Sequence, residues 1–184
     1  MAFSLWWRRE RPLSNDRALI WDMDGVIVDS APLHFEAWRE TFRSRGWAIE
    51  REEFDHTFGL RNDAIIRSVL GEGVEPGEIA NLSREKEEDF RRRLGQSTST
   101  LPGVRELMES AARLGFRQAM ASSAPRLNIE VILRTLDTVG AFDAIVAGED
   151  VVRGKPDPEV FLAAAERLGI EPGRCIVIED AVGG

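Results

Sequence analysis

Four short apolar runs, at 18–21, 117–121, 144–147 and 175–178, have the composition of buried strands, and helical periodicity fills the gaps between the later ones. In "PGVRELMESAARLG", Pro102 stands near a helix start, Val104, Leu107, Met108, Ala111 and Leu114 share one face, and Gly115 ends the segment. "LNIEVILRTL" repeats the pattern with Ile129, Ile132, Leu133 and Leu136, and "DPEVFLAAAERLG" repeats it again from Asp157-Pro158 to Gly169. Parallel neighbours need a crossover connection, normally a helix, so this alternation predicts an α/β chain with a parallel sheet.

One connection breaks the rhythm. No strand pattern lies between Ser30 and Leu101, a stretch too long for a plain loop. It carries helical periodicity instead: Leu33, Ala37 and Trp38, then Ile65, Ile66 and Val69, then Ile79, Leu82 and Phe90. Gly46, Gly71, Gly73 and Pro76 punctuate these segments, and "GQSTSTLPG" reads as a polar return linker. A small helical unit inserted after the first strand is the expectation. The run "SREKEEDFRRR" reads as a solvated helix face.

Composition removes several functional classes. A net charge of −8 over 184 residues opposes a nucleic-acid partner, although a small phosphorylated ligand remains possible where a metal or lysine supplies positive charge. No stretch approaches the roughly 20 apolar residues that span a bilayer, so no membrane span is expected. The single cysteine, Cys175, cannot form an internal disulfide and reads as a buried, reduced thiol, consistent with a cytoplasmic protein. The opening "MAFSLWWRRERPLSNDR" has the wrong order for a secretory signal. It is expected to be a disordered or partner-contacting extension, with a weak interfacial anchor through Trp6, Trp7, Arg8 and Arg9 as the alternative.

The chemistry-bearing residues gather where strands finish. Asp22 and Asp24 follow the first run, Ser122 and Ser123 the second, Glu179 and Asp180 the fourth, and Lys155 lies shortly after the third. In open α/β sheets ligands bind at the carboxyl ends of the strands, so the topology delivers these groups to one edge. Carboxylates at such density need a cation, and hard oxygen donors suit Mg²⁺. One aspartate could then attack phosphorus while a second moves the proton, with a lysine and a hydroxyl holding the phosphoryl oxygens. The plain alternatives are an Asx turn at Asp22 and Asp24, a helix N-cap at Ser122 or, more naturally, Ser123, a surface lysine at Lys155, and a cap at Glu179.

"DMDGVIVDS", "AMASSA", "GKPDPE" and "VIEDAVGG" together resemble, in order and spacing, the four signatures of the haloacid dehalogenase superfamily, over residues 18–184. The resemblance implies a Rossmann-like core at 17–30 and 101–184, an α-helical cap at 31–100 and an extension at 1–16. It implies that Asp22 is the nucleophile and a Mg²⁺ ligand, and that Asp24 is the general acid/base with its backbone carbonyl on the metal. Ser122 would bind the phosphoryl group, Lys155 would neutralise charge, and Glu179 and Asp180 would complete the metal site, Asp180 as the direct ligand.

Within the cap, "LHFEAW" is similar to the beta-phosphoglucomutase-like branch and makes His34 and Trp38 candidate substrate contacts, against a packed histidine and a core tryptophan. Arg61 and Asn62 in "GLRND" are further candidates, against a plain helix start, and Lys86 either reaches the cleft or faces solvent. Two departures stand out. Ala124 and Pro125 occupy places where the mutase is polar and basic, and Phe58 stands where it has a lysine, which weakens any second phosphate site. The ending at Gly184 is earlier than in the family, so the chain is expected to be a fragment.

The function expected is a monomeric Mg²⁺-dependent phosphatase for a small phosphorylated metabolite, a sugar phosphate, acting through an aspartyl-phosphate. The alternatives are a sugar-phosphate mutase, a receiver-type phosphoacceptor, or a binding module without turnover. Receivers lack a long insertion after the first strand and take their phosphoaspartate from a later strand.

Overall fold

The computed structural model describes residues 16–94 and 98–181. Four parallel strands, β1 (Ala18–Trp21), β2 (Arg117–Ala121), β3 (Ala144–Val146) and β4 (Cys175–Ile178), form a sheet in the order β3-β2-β1-β4. Register pairs Ala18 with both Arg117 and Cys175. Between β1 and β2 come α1 (Ala31–Arg43), α2 (Arg51–Thr57), α3 (Asn62–Leu70), α4 (Pro76–Arg93) and α5 (Val104–Arg113). The later crossovers are α6 (Arg126–Thr135) after β2 and α7 (Glu159–Leu168) after β3. The α/β class and the parallel sheet are as expected from the alternation.

The central strand is apolar on both faces because helices cover both. Leu19 and Trp21 pack with Met108 and Ala111 of α5 and Ile129, Ile132 and Leu133 of α6. Ala18 and Ile20 turn to the opposite face, against Val160, Ala164, Ala165 and Leu168 of α7. Strand alternation thus feeds two separate clusters from four consecutive residues. The buried indole of Trp21 donates to Gln118 Oε1 (3.1 Å), and Gln118 Nε2 donates to the Met108 carbonyl (3.1 Å), so the polar atoms within the first cluster are paired.

The helical insertion has a core of its own. Trp38 and Phe42 of α1, Phe54 of α2, Ile65 and Ile66 of α3 and Leu82 of α4 are all buried together. Pro76 opens α4, where its missing N–H costs nothing, and Gly71 (φ 90°) closes α3. The chain re-enters the sheet layer beside the β1 loop, where Thr100 bridges Val28 and the Leu101 N–H donates to the Ile27 carbonyl (2.8 Å).

Four expectations need correction or fall outside these residues. The charged run on α4 is not a solvated face, since Lys86, Glu87, Asp89 and Phe90 are buried. Leu107 and Leu114 are exposed, and α5 buries Val104, Met108 and Ala111 instead. Cys175 is only partly buried, because it starts the edge strand β4. The extension at 1–15, and residues 95–97 of the linker, lie outside the described residues.

Candidate active site

Backbone hydrogen bonds continue past the strands and fix the first residue of each site loop. The Asp22 N–H donates to Ile178 O (3.0 Å) and the Ser122 N–H to Val146 O (3.1 Å), extending the ladder by one step. Asp22 and Ser122 are therefore buried and held by the sheet itself. Asp22, Asp24 and Ser122 line one cavity with His34, Trp38 and Lys86 from the insertion.

Lys155 Nζ lies 3.0 Å from Asp22 Oδ1 and also donates to Glu179 Oε2, both through buried or nearly buried side chains. Burial works against the ammonium, but Asp22 and Glu179 more than offset it and raise Lys155 above its usual range. Asp22 feels the opposite balance. Burial, reinforced by Glu179 and Asp24 and opposed by Lys155, pushes its carboxyl up to about 7.

Carboxylate oxygens of Asp22, Glu179 and Asp180 all fall within 4.8 Å of one another. This all-oxygen donor set suits Mg²⁺, which would supply charge neutralisation for Asp22 and for a phosphoryl group. Gly25 makes the arrangement possible. It sits at φ 77°, and a Cβ there would overlap the Asp180 carboxylate.

Asp24 turns its side chain away from that cluster. Ser30 Oγ donates to Asp24 Oδ1, and His34 Nε2 lies 3.3 Å from the same oxygen. Lys86 Nζ is 2.8 Å from His34 Nδ1. An ammonium only donates, so Nδ1 accepts and Nε2 carries the proton toward Asp24. Burial, with Lys86, pushes His34 below its ordinary range and keeps the ring neutral. Burial raises Asp24, yet His34 and Ser30 outweigh it and bring the carboxyl below its usual value.

The remaining candidates separate. Ser122 Oγ accepts from the Ala124 N–H (3.1 Å), while α6 begins at Arg126. Neither Ser122 nor Ser123 caps that helix. Glu149 does so, accepting the Arg126 N–H at 3.0 and 3.2 Å. His34 stacks on Phe90 (3.8 Å between centroids) and Trp38 on Phe42 (5.1 Å), so both are packed and both face the cavity. Asn62 opens α3 and also lines the cavity, its amide donating to Glu87 Oε1 (2.8 Å). Arg61 points elsewhere, to the Val151 and Val152 carbonyls (3.4 and 3.3 Å), with Asp63 at 3.5 Å.

Among the buried polar residues that escaped the sequence reading are Ser30, Glu87 and Asn128. Glu87 accepts from Lys86 (2.8 Å), Asn62 and Asn128, and Asn128 Oδ1 accepts from Arg91 (2.7 Å). Asn128 had a signal, as a polar residue beside Ile129 on the apolar face of α6. Glu87 had none that its charged neighbours did not hide.

Residues 17–184 match the model of the haloacid dehalogenase-like hydrolases. The chain belongs to this family. Among its relatives is a phosphorylated carbohydrates phosphatase of Thermotoga maritima, 34% identical over 91% of this chain and 77% of the relative. Another is the beta-phosphoglucomutase of Bacillus subtilis, 31% identical over 91% of this chain and 76% of the relative. A solved structure of CbbY from Rhodobacter sphaeroides with phosphate superposes with a TM-score of 0.82 at 29% identity, covering 91% of this chain and 79% of that one. No described helix is long and apolar enough to cross a membrane.

Proposed function

We propose that this hydrolase is a Mg²⁺-dependent phosphatase of small phosphorylated metabolites, sugar phosphates in particular. The observation that carries the reading is the buried Lys155–Asp22 contact at 3.0 Å beside the Asp22, Glu179 and Asp180 oxygen cluster. A lysine pinned on a carboxylate is suited to hold the oxygens of a phosphoryl group that the carboxylate attacks. Residues 31–100 act as a cap over a core formed by 17–30 and 101–184.

In the first step an Asp22 oxygen bonds to phosphorus and the ester P–O bond breaks. Asp24 gives its proton to the departing alkoxide, while Ser122 and Lys155 hold the phosphoryl oxygens. In the second step Asp24 takes a proton from water, whose oxygen attacks phosphorus, and Asp22 is released with inorganic phosphate. The hydrogen bonds from Ser30 and His34 aim the Asp24 carboxyl and favour its ionised form, the base of the second step, so the proton it gives in the first step is one it takes up from the bound phosphomonoester monoanion. Asp22, Glu179 and Asp180, with the Asp24 backbone, would hold Mg²⁺.

Hydrolysis fits better than mutase action. A mutase must grip a far phosphate, and the cavity wall there is Phe58, Ala124 and Pro125. Arg61 is engaged with core carbonyls. Asp22, Asp24, Ser122 and Lys155 come together within one chain, which supports a monomer as the proposed working unit.

Two experiments test this. Asp22→Asn should abolish Mg²⁺-dependent release of phosphate from p-nitrophenyl phosphate, and retained turnover would remove Asp22 as nucleophile. With β-glucose 1-phosphate and a trace of its bisphosphate, free phosphate should dominate. Rapid glucose 6-phosphate formation with little free phosphate would favour the mutase.

A further inference from the structure

We propose that Glu87 makes the cap side of the cavity selective for phosphomonoesters whose far end is neutral and hydroxyl-bearing, excluding a second anionic group. This rests on the phosphatase reading of Asp22. Glu87 lines the same cavity as Asp22 and Ser122, from the opposite, helical side. It is 5% exposed and paired with an equally buried lysine.

The cations that could welcome a second anion are already committed. Lys86 Nζ has Glu87 Oε1 and His34 Nδ1 each at 2.8 Å, and lies 5.3 and 5.4 Å from the Trp38 and Phe90 ring centroids. Arg61 is drawn to the Val151 and Val152 carbonyls. The cap side therefore presents a lysine charge cancelled by a carboxylate, with no surplus positive charge facing the ligand.

The carboxylate also has room for one particular kind of partner. An ionised carboxyl offers about four acceptor positions. Lys86 and Asn62 occupy two on Oε1, and Asn128 occupies one on Oε2. The position left over accepts a hydroxyl donor and repels a phosphate or carboxylate, which can only accept. Burial opposes the charge on Glu87, but Lys86, by its charge and hydrogen bond, and the Asn62 amide hold it below the usual range, so the group stays ionised. Around it, Phe54, Phe58, Leu60 and Ile65 supply apolar wall for the carbon skeleton.

Sorbitol 6-phosphate and 6-phosphogluconate form a matched pair, differing at the far carbon as hydroxymethyl against carboxylate. For the full chain with Mg²⁺, kcat/KM should favour sorbitol 6-phosphate by about tenfold or more, the scale of one poorly screened like-charge contact. Glu87→Gln should reduce that ratio by about tenfold, and taking the ratio within each variant cancels any general loss of activity. A second measurement needs only the natural chain. 6-Phosphogluconate should inhibit turnover of p-nitrophenyl phosphate about tenfold more weakly than sorbitol 6-phosphate does. A ratio near one, or a ratio unchanged in Glu87→Gln, overturns the role of Glu87 and leaves the phosphatase reading standing if p-nitrophenyl phosphate turnover depends on Asp22. Absence of that Asp22-dependent turnover overturns both.

Discussion

Two aspartates two residues apart live in opposite electrostatic worlds. Asp24 accepts from Ser30 and His34, whereas Asp22 faces Lys155 but shares its burial with Glu179. Asp24→Asn should keep the nucleophile and lose proton transfer, a deficit of roughly 10²–10⁴-fold. The loss should be larger for alkyl than for aryl phosphates, whose leaving group needs no proton, and equal losses for both would remove Asp24 from that role. Asp22 lends itself to a stability test. In the metal-free fold burial pushes its carboxyl up to about 7, against an ordinary value of 3.8. Between these values the folded chain holds a proton that the unfolded chain releases, so this group's contribution to stability falls as pH rises through the window. Asn cannot ionise. With a chelator present, Asp22→Asn should melt close to the natural chain near pH 4 and several degrees above it at pH 8, and Mg²⁺ should narrow the gap. Melting curves at both pH values decide, and a gap independent of pH would contradict the burial argument.

Helix α4 shows what the sequence could and could not reveal. The strand runs, the crossover helices and the strand-end acids were legible because each rests on a local period or on a residue type at a fixed offset. The charged run on α4 was misread because it holds a buried stripe, Leu82, Lys86 and Phe90 at four-residue spacing, inside a sequence that is polar on every side. Burial of Lys86 and Glu87 depends on partners from other helices, His34 on α1 and Asn128 on α6, and no local pattern encodes those. Likewise Arg61 and Asn62 are neighbours, yet one faces the cavity and the other core carbonyls, a divergence set by tertiary packing. Asn128 joins α6 to α4 twice, donating to Glu87 and accepting from Arg91. Removing it leaves both partners short of a hydrogen bond in a buried setting, at a cost of about 2–3 kcal/mol. Asn128→Ala should therefore lower the melting temperature by several degrees and speed proteolytic cleavage within residues 31–100. Unchanged melting and cleavage would mean that this junction contributes nothing to holding the helical insertion against α6.

Among the described residues the sheet buries both faces of its central strand β1 and leaves the edge strand β4 open. Strand β4 lies at the end of the order β3-β2-β1-β4 and, among the described residues, is bonded on one side only, to β1. Its Ile176 and Val177 are 56% and 41% exposed, whereas the residues of β1 are all buried. A parallel strand is normally covered on both faces, and an uncovered apolar edge pairs readily with another chain. The groups proposed to be catalytic lie at the carboxyl end of the same sheet, past the last residues of the strands, so pairing along the edge need not disturb them. A net charge of −8 opposes close approach of two copies, and salt screens that repulsion. The chain should therefore self-associate as concentration and ionic strength rise, while its turnover per chain stays constant. Ile176→Lys combined with Val177→Thr should restore a monomer by placing charge and polarity on the edge. Light scattering from micromolar to near-millimolar concentration, in low and high salt, with phosphate release measured on the same samples, tests both halves. A natural chain that remains monomeric throughout would show that the β4 edge is protected, and turnover that rises with association would show that the site needs a second copy.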